Sequence, residues 1–297
     1  METVWSKKIV SLLEKTSAGG RYRNFEVFED WLSICCATLQ QLPTHIKKRN
    51  QNLPLVDTPE TTKLMKRMWS RHSAKSMDYF SQAFAVLMES AAVGGNDTLG
   101  DVYQEYANPK PGAGQFFSPM PLAQVMAWAM CQGIEKEVRQ RIIDAVDRSP
   151  MAKAAAMAGL LLNEEDLPVY YFGRVVPLAL PEYQPYVISD PACGSGVMFI
   201  AAAEQIPAWI LNFNLVRFYG MDIDETCVKM AQTNLMLRGL NGYAACALYA
   251  TDEELAMLPK SYAVQYAEAR EAHSMGDKER MLEILADVRG LSQATLF

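Results

Sequence analysis

The residues best suited to chemistry lie between positions 186 and 222. Tyr-Val-Ile-Ser-Asp-Pro-Ala-Cys-Gly-Ser-Gly is followed by about twenty mostly apolar residues and then by Arg-Phe-Tyr-Gly-Met-Asp. A short apolar run, Val187 and Ile188, ends at Asp190; a turn of Gly194, Ser195 and Gly196 follows; a helix-like segment leads to a second apolar run that ends at Asp222. Strand, glycine turn, helix, strand and acid in that order predict a nucleoside pocket at the carboxyl ends of the strands of an open α/β sheet. Glycine lets the backbone come close to a ligand where a Cβ would clash. An acid closing the second strand can accept both hydroxyls of a ribose.

Charge narrows the choice of nucleoside. A dinucleotide site wants Gly-x-Gly-x-x-Gly with a pyrophosphate at the helix N-terminus. Here Phe199 stands at the third glycine position, and the carboxylate of Asp190 precedes the turn. That carboxylate would repel a pyrophosphate and attract an ammonium. S-adenosylmethionine (SAM) carries an ammonium, a sulfonium and a ribose, so the pattern favours SAM over NAD. The bland alternative is an ordinary turn between a strand and a helix.

The elements that position these residues must come from 297 residues, half of them hydrophobic, enough for one large domain or two modest ones. A net charge of −6 gives no overall reason to expect nucleic acid, so any basic surface must be local. Six cysteines without a Cys-x-x-Cys pair, and only three histidines, argue against a metal site and for free thiols in a reducing compartment. No signal-like opening and no apolar run of about 18 residues are seen, so a soluble cytoplasmic protein is expected, with no membrane contact.

Residues 1–95 read as a helical domain. Phe25, Phe28, Trp31, Leu32, Cys35 and Leu39 recur at helical spacing behind a capping Asn24, while Pro43, Asn50 and Pro54 mark loops. Further helices are expected over Thr58–His72 and Met77–Ala92, the latter stopped by Gly94-Gly95-Asn96. Residues 96–297 read as the sheet-bearing domain. A short helix over Leu99–Tyr106 and a Pro/Gly loop over 108–114 lead to Gln115-Phe116-Phe117-Ser118-Pro119, after which Pro121 opens a helix with Ser118 as its cap. Taken alone, the Phe-Phe pair reads as buried core. Helices are expected over Glu135–Asp147 and Ala152–Leu162, a loop over 177–185, and an acidic helical tail from about Ala263 to Val288 that covers a sheet edge or meets a protein partner.

Tyr103-x-x-Tyr106, Gly114-Gln115-Phe116-Phe117-Ser118-Pro119, Asp190-Pro191-Ala192-Cys193-Gly194-Ser195-Gly196 and Gly220-Met221-Asp222-Ile223-Asp224 occur in that order. Over roughly residues 20–245 the chain resembles the N6-adenine DNA methyltransferases, most closely the modification subunits of type I restriction systems and their phage and mobile-element relatives. The resemblance implies a SAM-dependent, Rossmann-like α/β sheet, here truncated, and a role in DNA methylation. It also implies site residues. Gln115, Phe116, Phe117 and Ser118 (in place of the usual threonine) would pack against the methionine end of SAM. Asp190 would hold the ammonium, and Ala192, Gly194 and Gly196 would give close backbone contact. Asp222 would hold the ribose and Ile223 would lie against the adenine. Asp224 reads as a helix cap.

One part of the family pattern is missing. These enzymes carry Asn/Asp-Pro-Pro-Tyr/Phe, whose side chain and carbonyl accept hydrogen bonds from the target amine while the aromatic ring stacks on the flipped base. The chain has no Pro-Pro, so no catalytic residue is assigned. Three explanations stand: a degenerate methyltransferase acting as a binding or antirestriction protein, a partner chain that supplies the loop, or an unrecognised base pocket near the C-terminus. For DNA, Lys63, Arg67 and Arg71 fall on one helical face and could neutralise phosphates; the alternative is a solvated helix face.

Overall fold

A computed structural model describes residues 4–17, 21–107 and 117–294. Its helices before the sheet are α1 (Val4–Ser17), α2 (Asn24–Asn50), α3 (Pro59–Arg71), α4 (Ala74–Val93), α5 (Thr98–Val102), α6 (Met120–Met130), α7 (Ile134–Arg148), α8 (Pro150–Gly159), α9 (Leu167–Tyr170) and α10 (Val176–Ala179). A π-helical turn, Tyr103–Ala107, continues α5. The order is then β1 (Tyr186–Asp190), α11 (Val197–Gln205), α12 (Ala208–Asn212), β2 (Val216–Asp222), α13 (Glu225–Leu237), β3 (Gly242–Cys246), α14 (Asp252–Leu255), α15 (Lys260–Met275) and α16 (Lys278–Ala294).

The α2 helix follows from its apolar spacing: Val27, Phe28, Trp31, Leu32, Cys35 and Leu39 are all buried. The Trp31 indole N–H is satisfied by the Phe80 carbonyl at 3.2 Å. Two local expectations fail here. Asn24 is the first helical residue rather than the cap, with Arg23 extended before it. The helix also runs through Pro43, where a loop is expected. An interior proline costs about 3 kcal/mol, but tertiary links hold the segment beyond it: Gln41 Oε1 accepts the Thr58 amide at 3.1 Å and the Leu53 amide closes the helix end on the Lys48 carbonyl at 2.9 Å.

The caps of α3 and α4 are local and readable. Thr58 accepts the Thr61 amide and Ser73 accepts the Ser76 amide, while α4 stops at Gly94 with φ +77°. Ser118 does not cap α6; Pro119 stands at that position without a side-chain bond. Pro121 removes one of the amides that a capping hydroxyl would serve. The loop expected over 177–185 holds the end of α10 and a 3-10 turn at Leu180–Glu182, and the tail is two helices divided at Gly276, φ +76°.

The sheet has three parallel strands in the order β1-β2-β3, with Asp190 opposite Gly220 and Asp222 opposite Cys246. Helices α11 and α13 cross over between successive strands, giving two βαβ units. The expectation of an α/β sheet domain is met in part: the chain is mostly helical around this small sheet. Among the described residues the strands lie within 186–246, and helices dominate the rest of the span from 96.

Three apolar cores hold these layers. One joins α6, α7 and α11 to the sheet through residues such as Ala127, Val138, Phe199 and Phe218. A second joins α1, α2 and α4 to Leu99, Val102, Tyr103 and Tyr106, and takes in Cys227 and Met230 of α13. The third packs α15 and α16 against Tyr219, Met221 and Ala245 on the sheet. No described helix is long and apolar enough to cross a membrane.

Candidate functional site at the ends of β1 and β2

Parallel pairing sets Asp190 and Asp222 at the same end of neighbouring strands, with the glycine turn between them in sequence. The turn is tied down by its own amides. Asp190 Oδ1 accepts the Ala192 N–H at 3.0 Å, and Asp222 Oδ2 accepts the Gly194 N–H at 2.9 Å. Asp222 Oδ1 takes the Asp224 N–H at 3.0 Å, and Asp224 in turn caps α13 through the Thr226 amide at 2.8 Å. The capping role read for Asp224 is therefore what the fold uses.

Neither Asp190 nor Asp222 forms an ion pair with a described cationic side chain. Burial pushes the Asp222 carboxyl up to about 6, and the like charges of Asp224 and Asp190 add to this against the two amide bonds that pull it down. Burial raises the Asp190 carboxyl as well, opposed by the Ala192 amide. Two neighbouring carboxylates that lack a counter-cation make a place where a positively charged ligand with hydroxyl groups is favoured. By donor chemistry, two such carboxylates are of a kind that suits the ammonium and ribose hydroxyls of SAM.

Gly194 has φ +52°, and a Cβ there would come 2.9 Å from Cδ1 of Phe117. The group that needs a bare glycine at this point is thus the Phe117 ring, which also lies 5.4 Å from the Tyr103 ring. Two motifs far apart in sequence meet here. Gln115 and Phe116 lie outside the described residues, while Ser118 lines a groove with Asp190, Pro191 and Ala192. Gly196 has φ +83° and lets α11 approach α13, since a Cβ would lie 3.2 Å from Cα of Ala231. Ile223 is partly buried against the core beneath α15.

Residues not singled out by sequence complete the setting. The Tyr266 hydroxyl donates to the Pro191 carbonyl from α15, its ring buried beside the sheet. The only hint was its i, i+4 spacing from Tyr262. Ser195 is fully buried and donates to Asp97, while Asn234 Nδ2 donates to Asp97 Oδ1 at 3.0 Å and to the Ser195 carbonyl at 2.8 Å. Arg238 extends the network to Asn234 Oδ1 at 2.9 Å and to the Asn96 carbonyl at 2.7 Å.

The basic stripe is arranged differently from its sequence reading. Lys63 and Arg67 are exposed on α3. Arg71 is occupied: its Nε lies 2.9 Å from Asp30 Oδ2, and its guanidinium sits over the Tyr22 ring at 4.5 Å. The same Asp30 oxygen lies 2.8 Å from His72 Nε2 in a buried pair.

The family comparison falls on the segment just described. Residues 174–254 match the family model described as N-6 DNA Methylase. The chain is 38% identical over 55 residues to the type I restriction enzyme MjaIX methylase subunit of Methanocaldococcus jannaschii, covering 18% of this chain and 10% of that protein. It is 35% identical over 69 residues to the type I restriction enzyme HindI methylase subunit of Haemophilus influenzae, covering 23% of this chain and 16% of that one. The aligned stretches are thus small parts of those curated relatives. No solved structure gives a significant match. The resemblance read from the motifs is borne out over the segment that builds β1, the glycine turn, β2 and α13, which is similar to the N6-adenine DNA methyltransferase family.

Proposed function

We propose that this chain is a SAM-binding, DNA adenine-N6 methyltransferase-like protein of a restriction-modification or mobile-element system, and that it depends on a partner chain for catalysis. The observation that carries the reading is the pair of carboxylates, Asp190 and Asp222, at the same end of neighbouring strands with no ion-pair partner among the described residues. The three-stranded sheet is then the SAM-holding part of a Rossmann-like methyltransferase sheet. SAM supplies an electrophilic methyl group on its sulfonium when bound. The chain's own residues do the rest of the binding work: Asp190 holds the ammonium, Asp222 the ribose hydroxyls, and Phe117 and Ile223 give apolar walls. Gln115, Phe116 and Ser118 complete the methionine end, and Ala192, Gly194 and Gly196 keep the backbone close. The division into a helical part (1–95) and a sheet-bearing part (96–297) belongs to this reading, as does a cytoplasmic setting.

Isothermal titration calorimetry tests the binding claim. SAM is expected to bind the wild-type chain, and Asp190→Ala and Asp222→Ala are expected to weaken it. Absence of binding by either SAM or S-adenosylhomocysteine removes this reading.

The missing Asn/Asp-Pro-Pro-aromatic motif favours a second reading, a catalytically inactive methyltransferase-fold protein that regulates or blocks restriction by contacting DNA or protein. Tritiated methyl transfer to DNA separates the two. Incorporation that requires a partner chain supports the first. Incorporation by the isolated chain shows that its own residues supply the base pocket.

A further inference from the structure

The peptide that joins Pro191 to Ala192 is bonded at both ends. Its N–H donates to Asp190 Oδ1 at 3.0 Å, and its carbonyl accepts the hydroxyl of Tyr266. Proline fixes its own φ, so rotation about ψ of Pro191 is what turns this peptide plane. The Tyr266 hydroxyl therefore sets the direction of the Ala192 N–H, and that N–H sets where the Asp190 carboxylate rests. The two bonds also act in series. Donation to the carbonyl polarises the peptide and makes its N–H a better donor to a charged oxygen.

Tyr266 is itself held in place. Its ring is 2% exposed, in the core that α15 and α16 make with Tyr219 and Met221. One turn further along α15, Arg270 Nη1 donates to the Ala250 carbonyl at 2.5 Å and Nη2 to Asp252 Oδ1 at 2.5 Å, both in the segment that follows β3. Tyr262, one turn earlier, shares a groove with Asp190. The helix thus lies across the carboxyl ends of the strands, and the hydroxyl cannot drift if the turn shifts. Burial, and then the charge of Asp222, raises the Tyr266 hydroxyl above the ordinary tyrosine range, so it stays protonated and donates.

We propose that Tyr266 is a positioning residue for the cofactor site: through the Pro191–Ala192 peptide it holds the Asp190 carboxylate by Oδ1 and leaves Oδ2 to meet the ammonium of SAM. The proposal rests on the reading above that Asp190 holds that ammonium. Asp190 Oδ2 has no hydrogen bond among the described residues. The competing account is that Tyr266 is a core residue whose hydroxyl merely found an acceptor, as buried tyrosines usually do.

Calorimetry with two ligands separates these accounts. S-adenosylhomocysteine carries the ammonium; methylthioadenosine keeps the adenine and ribose and lacks it. Tyr266→Phe keeps the buried ring and removes only the hydroxyl. It is expected to weaken S-adenosylhomocysteine about tenfold, equal to about 1.4 kcal/mol, while methylthioadenosine stays within about twofold of wild type. Asp190→Ala should show the same split. The double variant should bind S-adenosylhomocysteine no more weakly than Asp190→Ala alone, because Tyr266 acts through that carboxylate. Tyr266→para-aminophenylalanine keeps the ring and a donor, and should hold S-adenosylhomocysteine within about threefold of wild type. It tests the donor even if the phenylalanine variant unfolds. Equal loss of both ligands, no loss of either, additive losses in the double variant, or weak binding by the para-aminophenylalanine variant overturns the proposal and leaves the functional reading standing. A wild-type chain that binds neither ligand sinks the functional reading and this proposal with it.

Discussion

Ser195, the middle residue of the glycine turn, donates its hydroxyl to Asp97, a residue 98 positions earlier at the head of α5. Both are buried, and Asp97 also accepts the Asn234 amide and the Gly100 N–H. Asp97→Ala would take away the acceptor of three buried donors, the Ser195 hydroxyl, the Asn234 amide and the Gly100 N–H. A group stranded in this way costs about 1–3 kcal/mol. We expect a loss of about 2–5 kcal/mol in denaturant unfolding, and SAM affinity falling with it because the turn loses its anchor. An unfolding midpoint equal to wild type would show that the network contributes nothing.

Asp222 sits in tension with stability. Its folded-state carboxyl titrates at about 6 against an ordinary 3.8. A raised carboxyl favours the folded state while protonated, below about pH 4, and that contribution is lost as pH rises through about 6. Asp222→Asn removes the charge but keeps an acceptor for only one of the Gly194 and Asp224 amides, which bond to different oxygens. At pH 8 the relief of charge, about 1–2 kcal/mol after discounting a two-unit shift for partial exposure, is offset by the amide left facing an NH2 group, about 1–3 kcal/mol. Toward pH 4 wild type is expected to gain about 1–2 kcal/mol relative to the variant, while SAM binding by the variant is lost. Thermal melts across this pH range measure it, and a stability difference that does not change with pH contradicts the argument.

Gly194 has a Cβ-free face against Phe117. Gly194→Ala pays for a left-handed backbone, about 1–2 kcal/mol, and pushes the Phe117 ring away. A lower Tm together with weakened SAM binding is expected. Phe117→Ala in the same background should recover part of the Tm, because the clash is removed.

Arg71 and Lys63 should separate in their effects. Arg71→Ala removes one of two partners of the Asp30 carboxylate, with His72 Nε2 remaining, and is expected to lower stability by about 1 kcal/mol. Lys63→Ala and Arg67→Ala should leave Tm nearly unchanged and reduce the salt dependence of DNA binding. Fluorescence anisotropy at several salt concentrations checks this; an unchanged salt slope would make α3 a solvated face only.

The parts legible in sequence were those made by neighbours along the chain. Strand, turn, helix and strand from Tyr186 to Asp222 form one local unit, so their order alone placed both acids at one sheet end. The contact of Phe117 with Gly194 was not legible: resemblance implied only that both serve one cofactor pocket, and no periodicity connects residues 77 positions apart. Asn96 read only as part of a helix stop and Asp97 drew no reading, since Asn234 and Ser195, which give Asp97 its purpose, lie far downstream. Arg71 read as a free cation because its partner Asp30 is on another helix. Pro43 misled for the reverse reason: a strong local rule yielded to contacts made by Gln41 and Leu53.

Helix α13 has a consequence for how the molecule comes apart. Cys227 and Met230 sit in the core of the N-terminal helices, while Val228, Ala231 and Leu235 of the same helix sit in the core beneath the sheet. Melting either layer strips one side of a helix that the other still needs. Calorimetry is therefore expected to record a single cooperative transition for these layers, and a cut near residue 95 should yield two pieces that both fail to stand alone.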